Sequence, residues 1–124
     1  MASNKGEVSR PFLREEALDR VGGDADFLNE LLALYDEEYA SKRRGLAEAI
    51  ARRDAAQIRG LGHGLKGSSA NLSLPGLQEA ACAMERAGAA GDFAAAQETY
   101  VRLESEYIRL KTFLGSADFS AVRR

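Results

Sequence analysis

The C-terminal part of the chain carries the apolar pattern that most restricts the fold. Its apolar residues alternate spacings of three and four without interruption, and they are Phe93, Ala96, Tyr100, Leu103, Tyr107, Leu110 and Leu114. This spacing puts every apolar side chain on one side of an α-helix, as in a helix bundle. No alternating strand pattern of useful length occurs in the sequence, so we predict an all-α fold.

Four helix starts can be read from their first residues. Asp24, Asp54 and Asp92 each precede a helical apolar pattern, and an aspartate there can accept a hydrogen bond from a free backbone N–H group. Pro75 suits the first turn of a fourth helix, behind Ser73. The four long helices are predicted at residues 24–51, 55–71, 75–87 and 93–114.

The helix ends and one interior position are less regular. Gly88 and Gly115 stand where a left-handed glycine would end a helix. The apolar stripe of the first long helix thins near Ser41, so we expect that helix to bend or break there.

Short connections between long amphipathic helices make neighbours antiparallel. We therefore predict an antiparallel up-and-down four-helix bundle with a short N-terminal helix near "PFLREEALDRV". A chain of 124 residues suffices for one domain, which we place at residues 11–115. Residues 1–10 and the tail 116–124 are expected to be loosely held, although Phe119 is a candidate to dock on the bundle.

The charge and the apolar content exclude several classes of protein. The net charge is −2, which gives no strong positive field to hold nucleic acid or an anionic membrane. No apolar run suggests a signal peptide or a membrane span. We expect a cytoplasmic protein.

His63 is the single histidine of the chain, and the helical phase turns it away from the core. The apolar stripe of its predicted helix consists of Ile58, Leu61, Leu65 and Leu72. At 100° per residue, His63 falls about 170° from that stripe. A buried histidine is therefore not expected, and the choice lies between an incidental surface residue and a functional one.

The neighbours of His63 favour function. The residues at helical spacing along its exposed side are small, namely Ala56, Gly60, Gly67 and Ala70. Arg59 and Lys66 are the basic exceptions. Glycine disfavours the helix by about 1 kcal/mol relative to alanine, but it lets another backbone or a ligand come close. Gly62 and Gly64 lie off this track, and we expect alanine to be tolerated at both.

The chemistry available to this imidazole is narrow. A metal site is disfavoured because no second histidine or nearby thiol exists and the Lys66 ammonium would repel a cation. Acyl transfer needs an orienting carboxylate and a pocket, which an exposed helix face does not supply. An anion suits a histidine beside Lys66, and phosphoryl transfer needs little beyond positioning and charge neutralisation.

The stretch "HGLKGSSANLSLPGL" resembles the signature of the histidine-containing phosphotransfer (HPt) domains of multistep phosphorelays. The resemblance extends over about residues 15 to 114 and includes "GGDADFLNELLALY" and "AMERAGAAGDFAAAQ". It implies a four-helix domain whose histidine accepts a phosphoryl group from a receiver-domain phosphoaspartate and passes it to another receiver. The partners implied are response-regulator receiver domains and a hybrid sensor histidine kinase.

The resemblance also assigns roles to residues. His63 is the phosphoacceptor, Lys66 neutralises the phosphoryl group or docks the receiver, and Gly67 clears space one turn along. Arg59, Gly60 and Ala70 are expected to face the partner. The receiver brings the aspartate and Mg²⁺, so no metal, cofactor or ATP-binding kinase domain is expected in this chain, which we expect to be a monomeric phosphocarrier more than an enzyme.

Two points stay open at this level. Many family members carry glycine where this chain has Ser73, and we interpret the serine as an N-cap that makes the same turn. Phe12 and Leu13 either contact the partner beside the site or cap the core. The alternative function is a helical docking module that binds a signalling partner through the His63 face without phosphorylation.

Overall fold

The computed structural model describes residues 10–115, so the predictions made for residues 1–9 and for 116–124, including Phe119, lie outside the described residues. It contains no strand in that range, and its five helices are α1 (Arg14–Arg20), α2 (Ala25–Arg52), α3 (Ala55–Asn71), α4 (Pro75–Ala90) and α5 (Phe93–Leu114). The all-α class is confirmed for this part of the chain. None of the described helices is both long and apolar enough to cross a membrane.

Three of the predicted helix starts are confirmed by their capping bonds. Each aspartate accepts a hydrogen bond at 3.0 or 3.1 Å from the backbone N–H three residues later: Asp24 from Phe27, Asp54 from Gln57 and Asp92 from Ala95. The expected break near Ser41 is wrong, because α2 continues through that position as one helix of 28 residues. The buried side chains Tyr39 and Leu46 hold it against the core on both sides of Ser41.

Both predictions of a left-handed glycine at a helix end need correction. α4 runs on to Ala90, and its C-cap is Gly91, with a φ of 65°. Gly88 lies inside α4 and is buried. Glycine is needed there because an added Cβ would stand 2.4 Å from the backbone nitrogen of Arg59. Gly115 caps α5, but its φ of −86° is not left-handed.

The long helices contact one another in a closed order around one core. α3 packs on α2 and α4, and α5 packs on α4 and α2. Along the α5 stripe Ala96, Leu103 and Leu110 are buried, and the larger Tyr100 and Tyr107 are partly buried against the core. Burial of apolar surface, to which this stripe contributes, is the main favourable contribution to folding, at about 25 cal/mol per Å².

The segment before α1 belongs to the core rather than to the surface. Phe12 is 1% exposed, and its ring meets that of Phe113 edge to face with 6.3 Å between centroids. The backbone N–H of Leu13 donates to the carbonyl of Ser73 at 2.9 Å. Of the two interpretations of Phe12, the structure therefore supports core capping.

The turn between α3 and α4 is made differently from the prediction. Ser73 is not the N-cap of α4; Leu74 holds that position without a side-chain capping bond. Ser73 instead adopts a left-handed φ of 59° and is buried, with its hydroxyl donating to Glu16 Oε2 at 2.8 Å. A left-handed residue with a Cβ costs about 1–2 kcal/mol, and this backbone conformation is one that glycine adopts readily.

Candidate functional site

His63 lies in the middle of α3 with its side chain 68% exposed. Ile58 and Leu65, on the opposite side of the helix, are fully buried in the core. The structure therefore places the imidazole on the outer surface, as the helical phase predicts.

The outer surface on either side of His63 is open. A Cβ added at Gly60 or at Gly67 would meet no atom within 4 Å. Ala56 is exposed and Ala70 is half-buried along the same track. Neither glycine is needed for packing within the described chain, so the open space beside the imidazole is available to a partner molecule.

A carboxylate from the neighbouring helix holds the imidazole. His63 Nδ1 lies 3.0 Å from Oε2 of Glu85 on α4, and Glu85 Oε1 lies 2.7 Å from the Nζ of Lys66. The Glu85 side chain is only 19% exposed. The structure thus joins two of the predicted site residues, His63 and Lys66, through a third residue that the sequence reasoning missed.

The charges at this site fix the orientation of the imidazole. The hydrogen bond from the Lys66 ammonium, assisted by the one from His63, holds the pKa of the Glu85 carboxyl below its usual range, although partial burial opposes this shift. The same hydrogen bond raises the pKa of Lys66. An ionised carboxylate can only accept hydrogen bonds, so Nδ1 must donate its N–H to Glu85. In a neutral imidazole, Nε2 then carries the lone pair.

Close packing of α3 on α4 brings Glu85 to the site. A Cβ at Gly62 would stand 2.7 Å from the backbone nitrogen of Glu85 and 3.0 Å from its Cα. Gly88 of α4 makes the reciprocal close approach to the backbone of Arg59. The prediction that alanine is tolerated at Gly62 is therefore wrong, because a backbone segment blocks the added methyl group.

This glycine pair is also the signal by which Glu85 could have been found. Glycines in two consecutive helices can mark where the helices touch, as Gly62 and Gly88 do here. The residues next to these glycines then face one another across the contact. Glu85 of α4 is the acidic residue that faces Gly62. Gly62 directly precedes His63 in the sequence. An orienting carboxylate was not expected from the sequence because α3 was considered alone, without α4 packed beside it.

The remaining predicted residues lie along the same track of α3. Arg59 is exposed one turn before His63. The Ala70 carbonyl accepts a hydrogen bond from Arg20 Nη1 at 3.1 Å, which places α1 beside the far end of the track. Within residues 10–115 no group of three histidine, cysteine or acidic side chains is arranged to hold a metal ion.

Comparison with known proteins gives one match. A family model described as an Hpt domain matches residues 30–113, a span that includes all of α3 and α4 and thus His63, Lys66 and Glu85. No curated protein and no solved structure matches the chain.

Proposed function

The chain belongs to the Hpt domain family, whose members serve phosphotransfer in two-component signalling, and we propose that His63 is its phosphoacceptor. In this proposal the protein accepts a phosphoryl group from the phosphoaspartate of one receiver domain and passes it to another. The observation that carries the proposal is the exposed His63 imidazole, whose Nδ1 lies 3.0 Å from Glu85 Oε2 and whose helix leaves open space at Gly60 and Gly67.

The transfer balances without any proton leaving the site. The lone pair of Nε2 attacks phosphorus, the N–P bond forms, and the P–O bond to the aspartate breaks with its electron pair going to the departing carboxylate. Nδ1 keeps its proton throughout, in the hydrogen bond to Glu85. The same steps in reverse deliver the phosphoryl group to a second receiver.

Glu85 is a positioning residue in this scheme. When Nε2 is phosphorylated and Nδ1 remains protonated, the imidazole becomes cationic, and the Glu85 carboxylate 3.0 Å from Nδ1 stabilises that charge at close range. Lys66 keeps the carboxylate ionised and adds positive charge beside the phosphoryl group. The partner receiver supplies the aspartate and its Mg²⁺, so the chain acts as a carrier.

The first experiment is transfer of ³²P from a phosphorylated receiver domain. Wild type should take up label that is lost in acid and kept in alkali, the signature of a phosphoramidate. His63→Gln should take up none while keeping the wild-type urea midpoint, since the side chain is on the surface. Label that remains on the variant would refute the assignment of His63.

The alternative, a docking module without chemistry, is separated by the same experiment. Small residues around an exposed imidazole also suit simple docking of a partner. A wild-type protein that binds the receiver in a pull-down and takes up no acid-labile label would support docking and contradict phosphotransfer.

The wider setting is part of the proposal. We place the protein in the cytoplasm as a monomer that meets receiver domains and a hybrid sensor kinase. The four long helices are proposed to run antiparallel, up and down. This order is supported by side-chain pairs such as Asp36 with Lys111 and Arg43 with Glu104, whose numbers run in opposite directions along α2 and α5.

A further inference from the structure

A second lysine lies beside the site on the side away from Glu85. Lys42 of α2 passes over Gly64 of α3, where an added Cβ would stand 2.8 Å from Lys42 Cε and 3.7 Å from its Nζ. The glycine leaves the space through which this side chain crosses α3. The three atoms nearest to an added Cβ at Gly64 all belong to Lys42, so this contact distinguishes Gly64 from Gly62, which meets backbone.

Lys42 and Lys66 lie on opposite sides of His63. Around the axis of α3, Gly64 stands about 100° from His63 in one direction, and Lys66 stands about 60° from it in the other. The imidazole therefore projects between a lysine of its own helix and a lysine of α2. A phosphoryl group on Nε2 would enter the space between two ammonium groups.

The ion pair between Lys42 and Glu38 is weak enough for Lys42 to leave Glu38 for another anion. Its Nζ lies 3.2 Å from Oε2 of Glu38 one turn earlier, and the two side chains are 29% and 31% exposed. Partly exposed i,i+4 pairs contribute only tenths of a kcal/mol. Glu38 also accepts a hydrogen bond from the Ser68 hydroxyl at 3.0 Å, so it keeps a partner when Lys42 moves away.

The Lys66 ammonium is already paired with the Glu85 carboxylate. Its ammonium lies 2.7 Å from Glu85, and the carboxylate that holds Nδ1 depends on that contact. A phosphoryl dianion adds up to two negative charges beside a Lys66–Glu85 pair whose own charges cancel, and its three oxygens accept charge-assisted hydrogen bonds from ammonium groups. Lys42 brings a further cation to α3 on the side of His63 away from Glu85, in addition to Arg59 one turn before the histidine.

We propose that Lys42 is a second phosphate-binding residue of this site, which leaves Glu38 and pairs with the phosphoryl oxygens on His63. The proposal rests on the proposed function. It adds a residue from α2 to a site otherwise built from α3 and α4. It also gives Gly64 a role distinct from those of the other glycines, namely to let the Lys42 side chain pass.

The test uses phosphoramidate as the donor, so that no receiver contact contributes. The intact protein is incubated with phosphoramidate, and the rate of phosphohistidine formation is followed by ³¹P NMR. Lys42→Ala and Lys42→Gln should load more slowly than wild type by roughly fivefold or more, as expected for loss of one charge-assisted contact. Lys42→Arg should recover most of the rate.

The matched control is Arg52→Ala. Arg52 is also on α2 and pairs with an acidic residue one turn earlier, Glu48, at 3.7 Å, but it is ten residues, about 15 Å, further along the helix. Its loading rate should stay within about twofold of wild type. Equal slowing by Lys42→Ala and Arg52→Ala would reduce the effect to net charge and overturn the proposal.

A double-mutant cycle tests the passage itself. Gly64→Ala puts a methyl group 2.8 Å from the present position of Lys42 Cε, so the lysine side chain must shift, and loading should slow although the lysine is still present. If the two changes act through one contact, the double variant Gly64→Ala/Lys42→Ala should be no slower than Lys42→Ala.

The outcomes separate this inference from the function beneath it. Wild-type protein that takes up no ³²P on His63 from a phosphorylated receiver domain refutes the proposed function, and the role of Lys42 with it. Wild type that loads normally together with Lys42→Ala and Lys42→Gln at the same rate overturns only the role of Lys42.

Discussion

The two sides of α3 use glycine for opposite purposes. On the side facing α4, Gly62 is buried, and an added Cβ would stand 2.7 Å from a backbone nitrogen. On the outer side, Gly60 and Gly67 have nothing within 4 Å of an added Cβ. The first kind lets two helices touch, and the second leaves open surface, which we propose is kept clear for a partner. The same substitution should therefore change stability in opposite directions on the two sides.

The largest effect is expected on the packed side. In Gly62→Ala and Gly88→Ala the methyl group meets backbone atoms at 2.7 and 2.4 Å, so one helix must move. Overpacking of this kind costs about 1–3 kcal/mol, and the gain in helix propensity offsets about 1 kcal/mol of it. We expect a net loss of about 1 kcal/mol, and at most about 2 kcal/mol, in the free energy of unfolding, measured by urea denaturation.

The two packed glycines should also differ in their effect on chemistry. Gly62→Ala pushes against Glu85 itself and should slow phosphotransfer, whereas Gly88→Ala acts about one turn away along α4. Wild-type stability in both variants would show that α3 and α4 have room to separate, and the contrast between the two sides of α3 would fail.

On the open side the sign reverses. Gly60→Ala and Gly67→Ala should raise the free energy of unfolding by up to about 1 kcal/mol each, since the helix gains propensity and the methyl group meets nothing. Urea denaturation measures this under the same conditions as for the packed pair.

The functional outcome on the open side is separate from stability. Gly67→Gln should keep the fold and slow transfer from a phosphorylated receiver, because the side chain fills the space that the receiver needs. Loading of the same variant by phosphoramidate should be nearly unchanged. Equal rates of Gly67→Gln and wild type with the receiver would mean that close approach is not why glycine stands there.

The sequence could predict the pattern within each helix but not the distance between helices. The aspartate caps, the outward direction of His63 and the open track follow from periodicity along one chain segment. Glu85, the length of α4 and the packing of Gly88 depend on how closely α3 and α4 approach. That distance is set by side-chain volume on both helices together, and a single helical wheel does not contain it.

Glu85 shows what the packed side contributes to the site. Because the Lys66 hydrogen bond, with help from His63, lowers the pKa of Glu85, the carboxylate stabilises the fold above its ordinary pKa of about 4.3. This contribution is lost as the pH falls through the lowered folded-state value. The stability difference between wild type and Glu85→Gln should therefore be constant near neutral pH and shrink in acid.

The positioning role of Glu85 has a more direct measurement. The ¹⁵N shifts of the His63 ring report which nitrogen carries the proton. Wild type should be the Nδ1–H form, Glu85→Gln should keep part of that preference through its amide oxygen, and Glu85→Ala should lose it. Glu79→Gln, which removes a carboxylate elsewhere on α4, is the control. Identical tautomers in wild type and Glu85→Ala would leave Glu85 without a role in orienting the imidazole.

The smallest effect is expected at Ser73, where the backbone favours glycine and the chain has a side chain instead. Ser73→Gly removes the cost of about 1–2 kcal/mol for a left-handed residue with a Cβ, and it also removes the hydroxyl that donates to Glu16 at 2.8 Å, a bond worth about 0.5–1.5 kcal/mol. These contributions nearly cancel, so the urea midpoint should barely move. Ser73→Ala keeps the backbone cost and loses the bond, and should be about 1 kcal/mol less stable. Lower stability of Ser73→Gly than of Ser73→Ala would mean that glycine does not relieve a backbone cost at this position. Glycine and serine would then not be equivalent at this turn.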